Sequence, residues 1–227
     1  MIAQLVIPPV EPGALPLPQR CAYPECDGRL FQFHQGDCPK SVVDTTQSQV
    51  KAARFRCLTC GRSFRVYPRG VSRDQQSEAV KELTVLLYGL GLSCRMISRL
   101  LERLGCFVGK STIFRNIQAA GPEIQQVRSI GLGARCRWPQ LRPDGSEEAT
   151  HSDTPLTVTV SLDDAQRTVV SIEIPKEEEA SSILGWTLDL ARAAGVEVAL
   201  CDAEGRPVQD NLHLHTANFL GDQASHL

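Results

Sequence analysis

The spacing of apolar residues changes character twice along the chain: irregular at first, helical from about residue 77 to 120, and alternating from 156 onward. Three helices are predicted in the middle stretch. Ser77 to Tyr88 sets Val80, Leu83 and Leu87 on one face, Ser93 to Leu104 does so with Ile97, Leu100, Leu101 and Leu104, and Ser111 to Ala120 with Phe114 and Ile117. Each opens on a serine whose hydroxyl can accept from the free N–H groups of a first turn, and the breaks fall at "GLGLS" and "GCFVGKS". The third helix then buries Phe114 and Ile117 and leaves Lys110, Thr112, Arg115 and Asn116 to solvent.

In the last third, "LTVTVSL" and "TVVSIEI" alternate apolar and polar residues and predict a hairpin that turns at residues 163–166. "SSILGWTLDLARAAG" follows as an amphipathic helix closed by Gly195, and "VEVALCD" is a further strand, so strand, helix and strand make a βαβ unit with a parallel pair. Residues 122–155 have little pattern and several prolines; they read as a linker with one short strand in "ARCRWPQL". The first twenty residues hold five prolines and no basic cluster, so they read neither as a secretory signal nor as a membrane span and predict a flexible arm at 1–20. Between arm and helices, Cys21 to Phe64 looks like a small module of turns and short strands.

Charge divides the chain more sharply than its net value of −2 suggests. Lys51 to Ile117 holds 13 Lys or Arg against 4 Asp or Glu, whereas Asp144 to the end holds 4 against 16. One half therefore suits an anionic polymer and the other does not. Nine cysteines without a secretory signal point to a reducing, cytoplasmic setting, where clustered thiols are candidates for metal and not for disulfides. Cys94, Cys106, Cys136 and Cys201 lie among apolar neighbours and read as core.

Two close pairs remain, Cys21 and Cys26 in "CAYPEC" and Cys57 and Cys60 in "CLTC". Each turn can aim two thiolates at one ion, and four sulfurs close a tetrahedral structural zinc site with no open position. The alternative is a thiol-rich core; His34 and Cys38, between the pairs, are substitute ligands. Around and after the second pair come Arg54, Arg56, Arg62, Arg65, Arg69 and Arg73 interleaved with Phe55, Phe64 and Tyr67. They form either a solvated face or a phosphate-binding one, and arginine favours the second because its fork matches phosphate oxygens. The second and third helices with their short turn have the layout of a helix-turn-helix, in which the last helix lies in the major groove. Arg115 and Asn116 suit base edges, and Ser111 can add a phosphate contact.

The succession "CAYPEC … RFRCLTCGRSF … LLYGLGLSCRMISRLLERLGCFVGKSTIFRNIQ" resembles the N-terminal half of bacterial insertion-sequence transposases over about Cys21 to Ala120. The resemblance implies an α+β multi-domain protein: a zinc ribbon at 21–70, a helix-turn-helix at 75–121 touching DNA through Lys110, Ser111, Thr112, Arg115 and Asn116, and a partial RNase H-like domain at 156–227. Arg62, Arg65 and Arg69 join the expected DNA contacts. Such enzymes cut and join DNA with three carboxylates around two Mg2+ ions. Asp202, after "VEVAL", matches the second carboxylate in place, although an aspartate ending a strand also caps turns. Asp163 or Asp164 serves as the first only if "LTVTVSL" is the first strand; otherwise that strand lies in "GARCRWPQL", which has no acid. The tail supplies no clear helical glutamate, and His213 and His215 in it carry no assigned role.

The expectation is a cytoplasmic, nucleoid-associated protein that binds double-stranded transposon-end DNA. It would not cleave alone, and would need Mg2+ only if the catalytic domain is active. A homodimer, or a second polypeptide supplying the missing acid, would complete it. A transcription regulator with an acidic dimerisation or ligand domain is the alternative.

Overall fold

The computed structural model describes residues 1–130, 136–137, 156–174, 180–202 and 206–208. Its chain order is strand β1 (Ile2–Ile7), β2 (Phe31–Ser41), β3 (Gln49–Cys57) and β4 (Ser63–Val66), then helices α1 (Glu78–Gly89), α2 (Cys94–Arg103), α3 (Lys110–Ala119) and α4 (Glu123–Ser129), then β5 (Cys136–Arg137), β6 (Leu156–Leu162), β7 (Thr168–Glu173), α5 (Ala180–Ala194) and β8 (Glu197–Cys201). Among the described residues these build two sheets, β5-β6-β7-β1-β8 and β2-β3-β4. The α+β class is as expected.

The arm predicted at 1–20 is not flexible where it begins. Ile2–Ile7 is an interior strand, antiparallel to β7 on one side and β8 on the other, with Ala3, Leu5 and Ile7 fully buried. The prolines start only at Pro8, so nothing in "IAQLVI" interrupts a ladder, and its β-branched and apolar residues fit a strand covered on one face. This insertion also corrects the βαβ unit. β7 and β8 do run parallel on either side of α5, but β1 lies between them, and each pairs with it. The β6–β7 hairpin forms as predicted, pairing Val158 with Ile172 and Leu162 with Thr168. The short strand ahead of it pairs parallel to β6, Cys136 with Leu156, so it does not extend the hairpin into the antiparallel meander that a first strand there requires.

Residues 123–129, within the predicted linker, form helix α4, which buries Ile124 and Val127. Contacts with two neighbouring helices hold it in place. Arg128 donates to the carbonyls of Tyr88, Gly91 and Leu92 at the end of α1, and its guanidinium lies 4.1 Å from the centre of the Tyr88 ring. The Val127 carbonyl accepts from the Trp186 indole of α5 at 3.2 Å. A single apolar core runs from Leu5, Val170 and Ile172 of the large sheet through Leu83 and Leu86 of α1 to Ile97 of α2, Ile113 of α3 and Leu190 of α5. Helices and large sheet are thus one body.

Ser77 and Ser93 cap α1 and α2 as expected, accepting from the amides of Val80 and Met96. The third helix starts earlier than Ser111: its cap is Gly109, with no side-chain bond, and Ser111 lies inside the first turn. The β2–β3 connection docks on the α1 cap through buried Asp44, whose carboxylate accepts from the Ser77 hydroxyl at 2.5 Å and from the amides of Thr46 and Gln47. Asp44 therefore fixes the cysteine-bearing sheet against the helices.

Candidate metal centre and nucleic-acid face

The four predicted metal ligands come together. Cys21 and Cys26 sit on a loop closed by Cys21 N–H donating to the Gly28 carbonyl at 2.9 Å and Cys26 N–H to that of Tyr23 at 3.0 Å. Cys57 ends β3, and Gly61 turns the chain back by donating to the Cys57 carbonyl at 2.9 Å, which brings Cys60 alongside. All four sulfurs lie within 4.8 Å of one another, with Cys21 to Cys60 and Cys26 to Cys57 both at 3.8 Å. A tetrahedron with Zn–S bonds of about 2.3 Å has edges of about 3.8 Å, so the cage fits a zinc ion, while these separations are far beyond a disulfide's S–S bond of about 2.05 Å. The four thiols can thus hold one closed, structural ion.

The thiols are already unequal. Amide N–H groups of Cys60 and Thr59 hold the Cys57 thiol below its ordinary value against the opposing effect of burial. The Gly28 amide pulls Cys26 down, but burial and the other three thiols together outweigh it and leave that group at about 12. A divalent cation reverses the second effect, because it favours all four thiolates at once. Space is tight: a Cβ on Gly28 would lie 2.5 Å from the Cys57 sulfur. His34 and Cys38 take no part. His34 is exposed at a bulge of β2, and Cys38 is buried elsewhere in the sheet, its sulfur 4.0 Å from the Gly36 carbonyl.

The predicted arginines divide by partner. Arg62 is tied to the cage, stacked 4.4 Å over Tyr23 and 3.6 Å from Glu25. Arg65 and Arg69 are exposed, and Arg65 lies across the β3–β4 ladder from Arg54, which concentrates positive charge on one sheet face. Beyond these, the structure brings out a row that sequence reasoning passed over: Arg95, Arg99 and Arg103 are all exposed on α2, and among the described residues no ion pair joins them to an acid. Their i, i+4, i+8 spacing in "CRMISRLLER" was the available signal.

On α3 the buried side is Ile113 and Ile117, not Phe114, which is 56% exposed. Helix wheel spacing decides this: 113 and 117 are four apart and face α1 and α2, so 114 is turned about 100° away. Lys110, Ser111 and Arg115 are exposed as expected, Arg115 folded back onto the Ser111 carbonyl and the Thr112 hydroxyl. Asn116 is half-buried and donates to the Gln76 side chain at 3.1 Å, which ties it to the protein. A cleft of about 2040 Å3 opens beside it between α1, α3, α4 and α5, lined by Gln76, Glu82, Thr112, Asn116, Val127 and Leu188. Two buried polar atoms of its lining residues, Gln76 Nε2 and Glu82 Oε2, have no partner among the described residues. Burial, aided by the neighbouring Glu78 charge, pushes the Glu82 carboxyl up to about 7.

The three predicted catalytic acids are not brought together. Asp163 follows the end of β6, where Leu162 pairs with Thr168 and Thr168 in turn with Ile7; Asp202 follows Cys201, which pairs with Ile2 at the other end of β1. The length of β1 separates those ends, roughly 17 Å, against the ~4 Å of two ions sharing ligands. Each aspartate instead organises a turn: Asp163 accepts from the amides of Ala165 and Arg167 and the Arg167 guanidinium, and Asp202 accepts from the Arg206 amide and guanidinium. The Arg167 amide, then its side chain, hold Asp163 below the usual carboxylate range. Asp164 is exposed in the same turn. Among the described residues the cysteine cage is the cluster of potential metal ligands. His213 and His215 lie outside the described residues. None of the described helices is long and apolar enough to cross a membrane.

No family model, curated protein or solved structure matches the chain.

Proposed function

We propose that the chain is a duplex-DNA-binding protein: one structural zinc ion in the four-cysteine cage stiffens a ribbon-like sheet, and α2, the turn at 104–109 and α3 act as a helix-turn-helix with α3 in the major groove. The observation that carries this reading is α3 itself, a helix anchored by Ile113 and Ile117 that turns Lys110, Ser111 and Arg115 outward and packs on α2, which carries the exposed arginine row. In that arrangement α2 crosses the phosphate backbone and the row neutralises it. The resemblance to insertion-sequence transposases makes transposon-end repeats the target. The chain alone does not cut DNA by this reading, since Asp163 and Asp202 sit at opposite ends of one sheet.

Anisotropy titrations of the full chain on labelled duplexes over a series of salt concentrations test it. Binding is expected to weaken steeply with salt, Arg99→Ala is expected to lower the salt slope by about 1, and Arg115→Ala is expected to narrow the gap between specific and random duplex. Absence of binding to any duplex at low salt rejects the reading, and Mg2+-dependent nicking by the purified chain rejects its non-catalytic part.

The cleft favours a second reading, a transcription regulator whose ligand enters beside α3. Asn116 is bonded to Gln76 in its wall, so an occupant there acts directly on the helix that would meet DNA. A promoter operator and not a repeat end is then the preferred duplex.

A further inference from the structure

The outward face of α3 contains a residue that polar DNA chemistry does not explain. Ser111, Phe114, Arg115 and Gln118 are exposed at i, i+3, i+4 and i+7, while Ile113 and Ile117 form the buried side at 0% and 1% exposure. Phe114 lies at the edge of that face, next to the buried stripe, and is still 56% exposed. Its ring has no aromatic partner among the described residues, unlike Phe31, Phe33, Phe55 and Phe64 of the small sheet, which pack on one another. The side of α3 that packs into the core is filled by Ile113 and Ile117. Lys110 and Arg115, four residues before Phe114 and one after it on α3, are exposed cations, and among the described residues neither is in an ion pair, so the face as a whole suits a polyanion and not an apolar protein surface.

The edges of base pairs in the major groove are polar with one exception, the C5-methyl group of thymine. We propose that Phe114 is a specificity-determining residue that recognises thymine, its ring packing on that methyl group when α3 enters the groove. The inference rests on the DNA-binding reading above and adds what that reading lacks, a base and the atom by which it is known. Arg115 releases the Ser111 carbonyl and the Thr112 hydroxyl to reach a neighbouring guanine or phosphate, and Phe114 supplies discrimination that a hydrogen bond cannot, between thymine and the same base without its methyl.

Removing one methyl from such a contact costs about four-fold in affinity. The test begins with selection of the preferred site from a random duplex pool by the full chain. The selected duplex is then resynthesised with each thymine in turn replaced by uracil, which deletes the methyl and keeps every hydrogen-bonding group. At least one replacement is expected to weaken binding about four-fold. Phe114→Ala is expected to bind the thymine and uracil duplexes equally, and Phe114→Leu is expected to keep part of the difference. Circular dichroism checks that both variants keep their helices. If every uracil duplex binds the parent as tightly as thymine does, or if Phe114→Ala keeps the penalty, the proposal is wrong while the DNA-binding reading stands. Unchanged affinity and preference in Phe114→Ala overturns it as well. Failure to enrich any duplex overturns both.

Discussion

Gly28 and Glu82 are the residues at which small changes should be most informative. A methyl on Gly28 meets the Cys57 sulfur at 2.5 Å and the Thr59 hydroxyl at 2.8 Å, both part of the cage and its turn. Gly28→Ala should therefore loosen zinc by about ten-fold or more, measured by competition with a chromophoric chelator. Glu82 ionises at its ordinary 4.5 when the chain is unfolded and at about 7 in the fold. The native state then holds the extra proton between those values, and stability falls as pH rises through that window, by up to roughly 3 kcal/mol. Glu82→Gln should remove this slope, so urea midpoints of parent and variant should diverge from pH 4.5 to about 7 and stay apart above it. The cysteine spacing alone disclosed the cage, because two-thiol turns are local. Glu82 was not legible, because an acid on a helix surface is ordinary until neighbouring elements close over it.

Among the elements, β1 has the widest consequences. It pairs on both edges and buries Ala3, Leu5 and Ile7, so Leu5→Ala should cost about 2–5 kcal/mol. Since the same core continues into α1 and α2, that loss should appear as an earlier single transition for helical and sheet signals together, and two separated transitions would contradict it. The periodic elements were readable in advance. Helices α1 and α2, the β6–β7 hairpin and α5 follow from apolar spacing, and Ser77 and Ser93 mark the starts of the first two. Strand β1 and helix α4 were missed for one reason. Each is short and borders prolines, and each forms only because a distant element, β7 and β8 or Tyr88 and Trp186, supplies its partners.

At the scale of the whole molecule two bodies of unequal independence meet. The sheet β2-β3-β4 has only small clusters of its own, around the cysteines and around Val10, Val42, Val50 and Val71, whereas the helices and the large sheet share one extensive core. Chelating zinc should therefore strip amide exchange protection from β3 and β4 while α1 and α5 keep theirs; loss of protection in all of them together would show that Asp44 and its bond to Ser77 couple the bodies more tightly than this division allows. Local chemistry read from the residues alone settled which side chains form the cage, which stretches coil and which alternate, because spacing and turn geometry act over a few positions. Tertiary structure decided the rest: that the opening strand completes the closing sheet, that Phe114 faces outward, and that Asp163 and Asp202 lie apart. Those outcomes depend on which distant surfaces bury one another, and no short window of sequence contains that information.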